Sequence, residues 1–393
     1  MIFSRFDHSP ELDGVAVCVA IPLGAVDESE EYQGIAHLSE HVVLRQLETT
    51  LRNVTDTECY YSARTFAFHT EFTVWNMCEV ADMRKFLTTI VETFRNPKCA
   101  GSIEIAREAK IISREVDLRK GRFSDGILPW SFAPAFFKPG QATHNTFVVE
   151  YSASAQTTKL VNNWQRWLAS LPLSLGVVAA DASVAGVMAE IAEQLGTAAP
   201  IHAVEIPGYL PATWASATEL AGTVQQHLVP DLPAVRHLTI CHTGSQLLRT
   251  GLGNESDFLA YAIRVVSAAV LDSAVTNAKV YVGLFGPWGS PDDGTTYIYG
   301  TDSLTPPDLQ VKQPADTDVA AAISHLCAEF TQLTAAPLEH VALLGRTCLF
   351  GWPAPADIYQ ILTTITVDLV QEYLDDFQLQ PCRNHIFIGK DCQ

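Results

Sequence analysis

Positive charge is scarce in this chain. Its 25 Lys and Arg stand against 44 Asp and Glu, a formal net charge of −19 over 393 residues. Nucleic-acid partners need a basic stripe to neutralise phosphates, so none is expected. A cationic partner suits the charge, although an acidic surface also serves solubility alone. No apolar run reaches the roughly 20 residues of a membrane span, so no membrane association is expected. The opening, MIFSRFDHSPELDG, lacks the basic-then-apolar layout of a secretory signal, and a cytoplasmic location is the expectation. The nine cysteines contain no C-x-x-C pair, and several lie in apolar runs such as VAVCVAI. They read as buried free thiols in a reducing compartment, not as a thiolate zinc site. A G-x-S-x-G nucleophile elbow is also missing, and Gly251-Leu252-Gly253 lacks the third glycine of a dinucleotide loop.

Apolar material is plentiful, with hydrophobic residues at 48%. The length exceeds one typical core, so two domains of roughly 190 residues each are expected. The run Val15–Ile21, bounded by Gly14 and Pro22, reads as a strand buried on both faces. Helical patterns follow at about 35–51, 80–94 and 102–120, with an alternating strand at Thr70–Val74. Residues 127–146, rich in Pro, Gly and aromatics, read as a structured loop. A helix, a strand at Leu173–Ala179 and another helix lead into a proline-rich stretch. Beyond it the same type of layout recurs: strands near 237–242, 279–285, 295–300 and 385–388, and helices near 257–273, 317–334 and 356–377. The expected fold is α+β, with two similar domains, each a largely antiparallel sheet packed with helices. Residues 1–200 form the first domain, 201–234 a linker and 235–393 the second.

Chemistry concentrates in the first half. His37-Leu38-Ser39-Glu40-His41 lies within the first expected helix, where positions four apart stack on one face about 6 Å apart along the axis. Both imidazoles can therefore point at one ion, and a catalytic zinc wants three protein ligands with one position left open. Glu40 flanks that face and is placed to take a proton from water. The helix at 102–120 carries Glu108 and Glu115, seven residues and about two turns apart, hence on a common face. A carboxylate there can complete a His–His–Glu set while its neighbour holds a ligand in place. Asp117 is a rival third ligand on the same helix.

At these residues the sequence resembles the inverzincin metallopeptidases, the pitrilysin or insulinase family that includes mitochondrial processing peptidases. GIAHLSEHVVLR resembles the family signature, and AREAKIISRE its second motif, with 74 residues separating His41 from Glu115. The resemblance implies Zn2+ held by His37, His41 and Glu115, with Glu40 as general base and Glu108 supporting the ligands from behind. It also implies a chain that is half of a clam-shell peptidase. CYYSARTFAFHTEFTVW resembles the edge strand that takes up peptide by strand addition, with Thr65–Thr70 matching that strand. Ser62, Ala63, Thr65, Phe66 and Phe68 become substrate-binding candidates, Ser62 standing where an Asn is usual.

The family also uses an Arg and Tyr pair from the other half. Tyr281 falls where the tyrosine should lie, but the position seven residues before it is Ala274 instead of an arginine. A peptidase must stabilise a developing oxyanion, and zinc with a hydrogen-bond donor does this better than zinc alone. The expectation is therefore a zinc endopeptidase subunit for peptides or unfolded leader segments, the catalytic half of a heterodimer. A second half-length homologous subunit would supply the Arg/Tyr pair. The alternative is a non-catalytic scaffold subunit that kept the fold.

Overall fold

Residues 15–21 read V-A-V-C-V-A-I, large side chains alternating with small ones, and this alternation organises the first sheet. In the computed structural model, the residues described are 2–24, 27–28, 34–66, 69–77, 82–120, 154–196, 224–229, 236–242, 255–275, 278–282, 295–301, 313–379 and 382–389. Strand β2 (Val15–Ile21) is buried along its whole length. It lies at the centre of five strands, between β5 (Leu173–Ala179) and β4 (Thr70–Asn76). Strand β1 (Ile2–His8) closes one edge and β3 (Cys59–Thr65) the other. Only β1 with β5 is parallel; the other three pairings are antiparallel.

Successive side chains on a strand point to opposite faces, so β2 presents two different surfaces. Val15, Val17, Val19 and Ile21 join a large apolar core. Helices α1 (Ile35–Leu51), α2 (Met83–Arg95), α3 (Ser102–Lys120), α4 (Ala155–Ser170) and α5 (Val184–Gly196) contribute Leu38, Phe86, Phe94, Ile105, Val161 and Ile191 to it. The other face offers Ala16, Cys18 and Ala20, and small residues let a helix backbone come close. Helix α8 (Pro337–Leu349), preceded by α7 (Asp316–Ala335), packs there against β2 and β5. A Cβ on Gly176 would lie 2.7 Å from the Gly345 nitrogen, and one on Gly345 would lie 2.7 Å from Cys18 Sγ. Ser174 Oγ donates to the Gly345 carbonyl at 2.8 Å.

Two compact units divide the chain, and both are discontinuous. The first comprises Met1–Arg119, Gly140–Ala212 and Gln332–Ala354; the second comprises Lys120–Pro139, Thr213–Thr331 and Pro355–Gln393. In the second unit, β6 (Val224–Val229), β7 (Arg236–His242), β8 (Ala278–Val282), β9 (Thr295–Thr301) and β10 (Cys382–Gly389) form a sheet ordered β6-β10-β7-β9-β8. Numbered from the start of each unit, both sheets run first, fifth, second, fourth, third. In both, the first and fifth strands alone are parallel. The expected pair of similar α+β domains, each with a largely antiparallel sheet and helices, is therefore what the chain forms. The first unit places α1 between its second and third strands. The second unit places α6 (Glu255–Ala274) at the equivalent point.

Several elements differ from the sequence expectations. Strand β1 carries no alternating apolar pattern, and β6 lies in the stretch expected to be a linker. The expected helix at 356–377 is two helices, α9 (Pro355–Thr363) and α10 (Val367–Leu379), parted at β-branched Thr364-Ile365-Thr366. The edge strand ends at Thr65 instead of running Thr65–Thr70. Phe66 N–H donates to the His69 carbonyl at 2.8 Å, closing a hairpin into β4. The expected loop at 127–146 lies outside the described residues. Among the described residues, no helix is long and apolar enough to cross a membrane.

Candidate metal centre

Helix α1 begins at Gly34, whose φ of 78° and ψ of 4° are left-handed and suit a residue without Cβ. That glycine has no side chain to cap the exposed amides. Glu28 supplies the cap instead, accepting from Gly34 N–H at 2.7 Å and Ala36 N–H at 2.9 Å. A carboxylate is favoured there by the unsatisfied N–H groups and the helix dipole. Burial is the larger effect, however, and pushes the Glu28 carboxyl up to about 8 against those two N–H bonds. A local capping pattern could not have revealed it, because Glu28 acts across six residues of chain.

One turn along α1, the His37 and His41 rings stand 4.9 Å apart at 77°. Ligand atoms of His37, Glu40 and His41 all lie within 4.8 Å of one another, so this group could hold a metal ion. Helix α3 brings Glu115 to both imidazoles. Its Oε2 is 3.7 Å from His37 Nε2 and its Oε1 is 3.7 Å from His41 Nε2. Both distances exceed a hydrogen bond. They approach the spacing of about 3.3 Å between ligands bonded at about 2.0–2.1 Å to a tetrahedral zinc. Two imidazole nitrogens and one carboxylate converging in this way fit a zinc ion. Glu115 is also 35% exposed at its side chain, which leaves the centre approachable.

Glu108, almost fully buried, plays a different part from Glu115. Its Oε2 lies 3.5 Å from His41 Nδ1, the ring nitrogen turned away from Glu115. Its Oε1 accepts from Arg107 Nε at 3.0 Å and lies 3.5 Å from Arg45 Nε. Burial pushes this carboxyl up, but His41, Arg107 and Arg45 together outweigh that and hold it below the usual range. Burial likewise pulls His41 down, while Glu108, Glu40 and Glu115 outweigh it and raise the imidazole. A charged carboxylate at Nδ1 favours the tautomer with its proton there, leaving Nε2 as the metal-facing atom. Arg45, four residues after His41, was visible in the helical spacing; its place beside Glu108 depends on α3. Asp117 lies on α3 with its side chain outside the described residues.

Edge strand β3 divides its candidates between two faces. Thr65 faces α1, and its Oγ1 donates to Glu40 Oε2 at 2.7 Å. Ala63 packs beside the apolar core of the same face. Ser62 and Arg64 face α8, where they line a small cavity with Glu71, Thr73, Leu338 and Glu339. Phe66 is buried on the α8 side, stacked on His69 at 4.3 Å with Arg346 above its ring. His69 is fully buried, and burial lowers its imidazole. Phe68 lies outside the described residues. Tyr281 sits on β8, the edge strand of the second sheet, paired with Tyr297, and burial raises its hydroxyl. Ala274 ends α6 in the same unit.

The sequence matches no family model and no curated protein. Solved structures do match in fold. A protease from Helicobacter pylori superimposes with a TM-score of 0.65 at 10% identity, over 95% of this chain and 94% of that one. The "peptidase M16 inactive domain" from Pseudomonas fluorescens gives a TM-score of 0.65 at 12% identity, over 99% and 96%. Pitrilysin gives a TM-score of 0.62 at 14% identity, over 98% of this chain but 44% of its own. The likeness is one of fold: the chain has the architecture of these peptidases and spans less than half of pitrilysin.

Proposed function

We propose that this chain is a zinc-dependent endopeptidase subunit of the pitrilysin type, with His37, His41 and Glu115 as metal ligands and Glu40 as general base. The observation that carries it is the convergence of Glu115, from α3, on both imidazoles of α1 at 3.7 Å. Fold likeness alone could not carry it, since the same architecture occurs in a protein described as an inactive domain.

In this reading a zinc ion at the centre supplies Lewis acidity toward water and the scissile carbonyl. Glu40 takes the proton of the attacking water and passes it to the leaving amine. Glu108 orients His41, and β3, an edge strand among the described residues, offers its outer edge to an extended peptide through backbone groups. Ala274, in place of an arginine before Tyr281, favours a heterodimer in which a second half-length subunit completes oxyanion stabilisation. Free thiols at Cys18, Cys59, Cys99, Cys327 and Cys348 support a cytoplasmic setting.

The test compares wild type with Glu40→Gln, each with and without a homologous half-length subunit that carries the Arg/Tyr pair. Both should bind one zinc, while the variant loses at least about 10²–10⁴-fold in peptide hydrolysis. Full activity of the lone chain would remove the heterodimer from the proposal. Bound zinc with no cleavage, even beside a partner, would favour the scaffold subunit.

A further inference from the structure

The catalytic carboxylate of the proposed peptidase is held from the substrate strand. Glu40 projects from α1, is only 5% exposed, and accepts a 2.7 Å hydrogen bond from the hydroxyl of Thr65. Thr65 is the last residue of edge strand β3, paired with Thr70 at the start of β4. The strand is anchored there in turn, because Thr70 Oγ1 donates to the Leu23 carbonyl at 2.7 Å. A 2.7 Å separation is the usual length of a well-formed O–H···O hydrogen bond.

From this geometry we infer that Thr65 is a positioning residue for Glu40: its hydroxyl sets the plane and direction in which the general base faces the metal centre. The inference rests on the peptidase reading and deepens it. A carboxyl group tied at one oxygen loses most of its rotational freedom, so the other oxygen is presented along one direction. The tie comes from the strand whose outer edge would receive the peptide, so base and scissile bond are registered to the same backbone. Misplacing a reacting group by about 1 Å can cost about 10²-fold in rate. Thr65 therefore contributes to the chemical step through Glu40, while its own hydroxyl touches neither His37 nor His41 among the contacts seen at this site.

Thr65→Val keeps the β-branched shape and removes the hydroxyl; Thr65→Ser keeps the hydroxyl and removes the methyl. With zinc, and with the partner subunit if activity needs it, Thr65→Val should lower kcat about 10- to 100-fold with KM little changed. Thr65→Ser should recover most of that loss. Zinc affinity, measured by competition with a chromogenic chelator, should stay within about twofold, because no ligand is disturbed. In a Glu40→Gln background, Thr65→Val should add almost nothing, since the two residues act as a unit. Crystal structures of wild type and Thr65→Val should show the Glu40 carboxylate turned from its present direction. Wild-type kcat in Thr65→Val, equal damage in Thr65→Ser, or an unmoved Glu40 would each overturn the inference. Wild-type chain that binds zinc but never cleaves peptide would fail the peptidase reading instead, and the crystallographic comparison would still judge Thr65.

Discussion

Glu28 combines two requirements that oppose each other. Its oxygens cap the amides of Gly34 and Ala36, which favours the charged form, while complete burial favours the neutral one and prevails. A carboxyl raised to about 8 keeps its proton in the folded chain where the unfolded chain has lost it. By linkage, its contribution is fully present below the unfolded value of about 4.3 and is lost as pH rises through about 8. Wild type should therefore lose stability relative to Glu28→Gln between pH 5 and 8.5. The variant should itself be weaker at pH 5, by about 0.5–2 kcal/mol for the damaged cap. Urea midpoints across that range measure it, and a wild-type-to-variant difference independent of pH would sink the idea. Glu71 shows the opposite balance. Burial pushes it up, but Arg346, 3.1 Å away, and His69 hold it down as a charged partner within the sheet–helix interface.

Helix α8 is the element that most depends on shape. It lies on the small-residue face of β2 and β5, with Gly345 against Cys18 and Gly176 against the Gly345 backbone. Gly345→Ala puts a methyl 2.7 Å from the Cys18 sulfur, too close for either, and either the helix or Cys18 must shift. Overpacking of this kind typically costs about 1–3 kcal/mol. Adding Cys18→Ala should return part of that cost, because the new methyl then fills the space the sulfur vacates. Denaturant unfolding of both single variants and the double variant measures the coupling. Strictly additive losses would show that the close contact is not what limits the approach. The same helix supplies Glu339 to Arg64 and Arg346 to Glu71, so it supports the edge strand from the face opposite the candidate metal centre.

For the molecule as a whole, zinc should act as a tie between α1 and α3, which meet at the candidate centre through Glu115 and Glu108. At a hundredfold excess over its Kd, a ligand bound only to the folded state stabilises by about 2.7 kcal/mol. For a unit of this size that corresponds to about 5–11 °C in Tm. A chelator should lower the Tm by that amount and excess zinc should restore it; a Tm indifferent to both would argue against a zinc centre. Much of that centre was legible in the chain. His37, Glu40 and His41 share one helical face by spacing alone, and the seven-residue interval puts Glu108 and Glu115 on a common face of the second helix. Local periodicity reports which residues share a surface, and 3.6 residues per turn suffices for that. The unbroken apolar run at 15–21 likewise made β2 recognisable as a fully buried strand. Spacing could not say which glutamate meets both Nε2 atoms, because that depends on how α3 crosses α1. Nor could it reveal Glu28 as the cap of α1, Thr65 as the partner of Glu40, or α8 as part of the first unit. Those relations join residues that are distant in sequence, or separated by a turn without a local signature. The two helices that carry the candidate ligands, and which of their residues share a face, were determined by the sequence; which atoms converge at the candidate centre, and what holds Glu40, were decided only by tertiary packing, because those contacts join residues far apart in the chain.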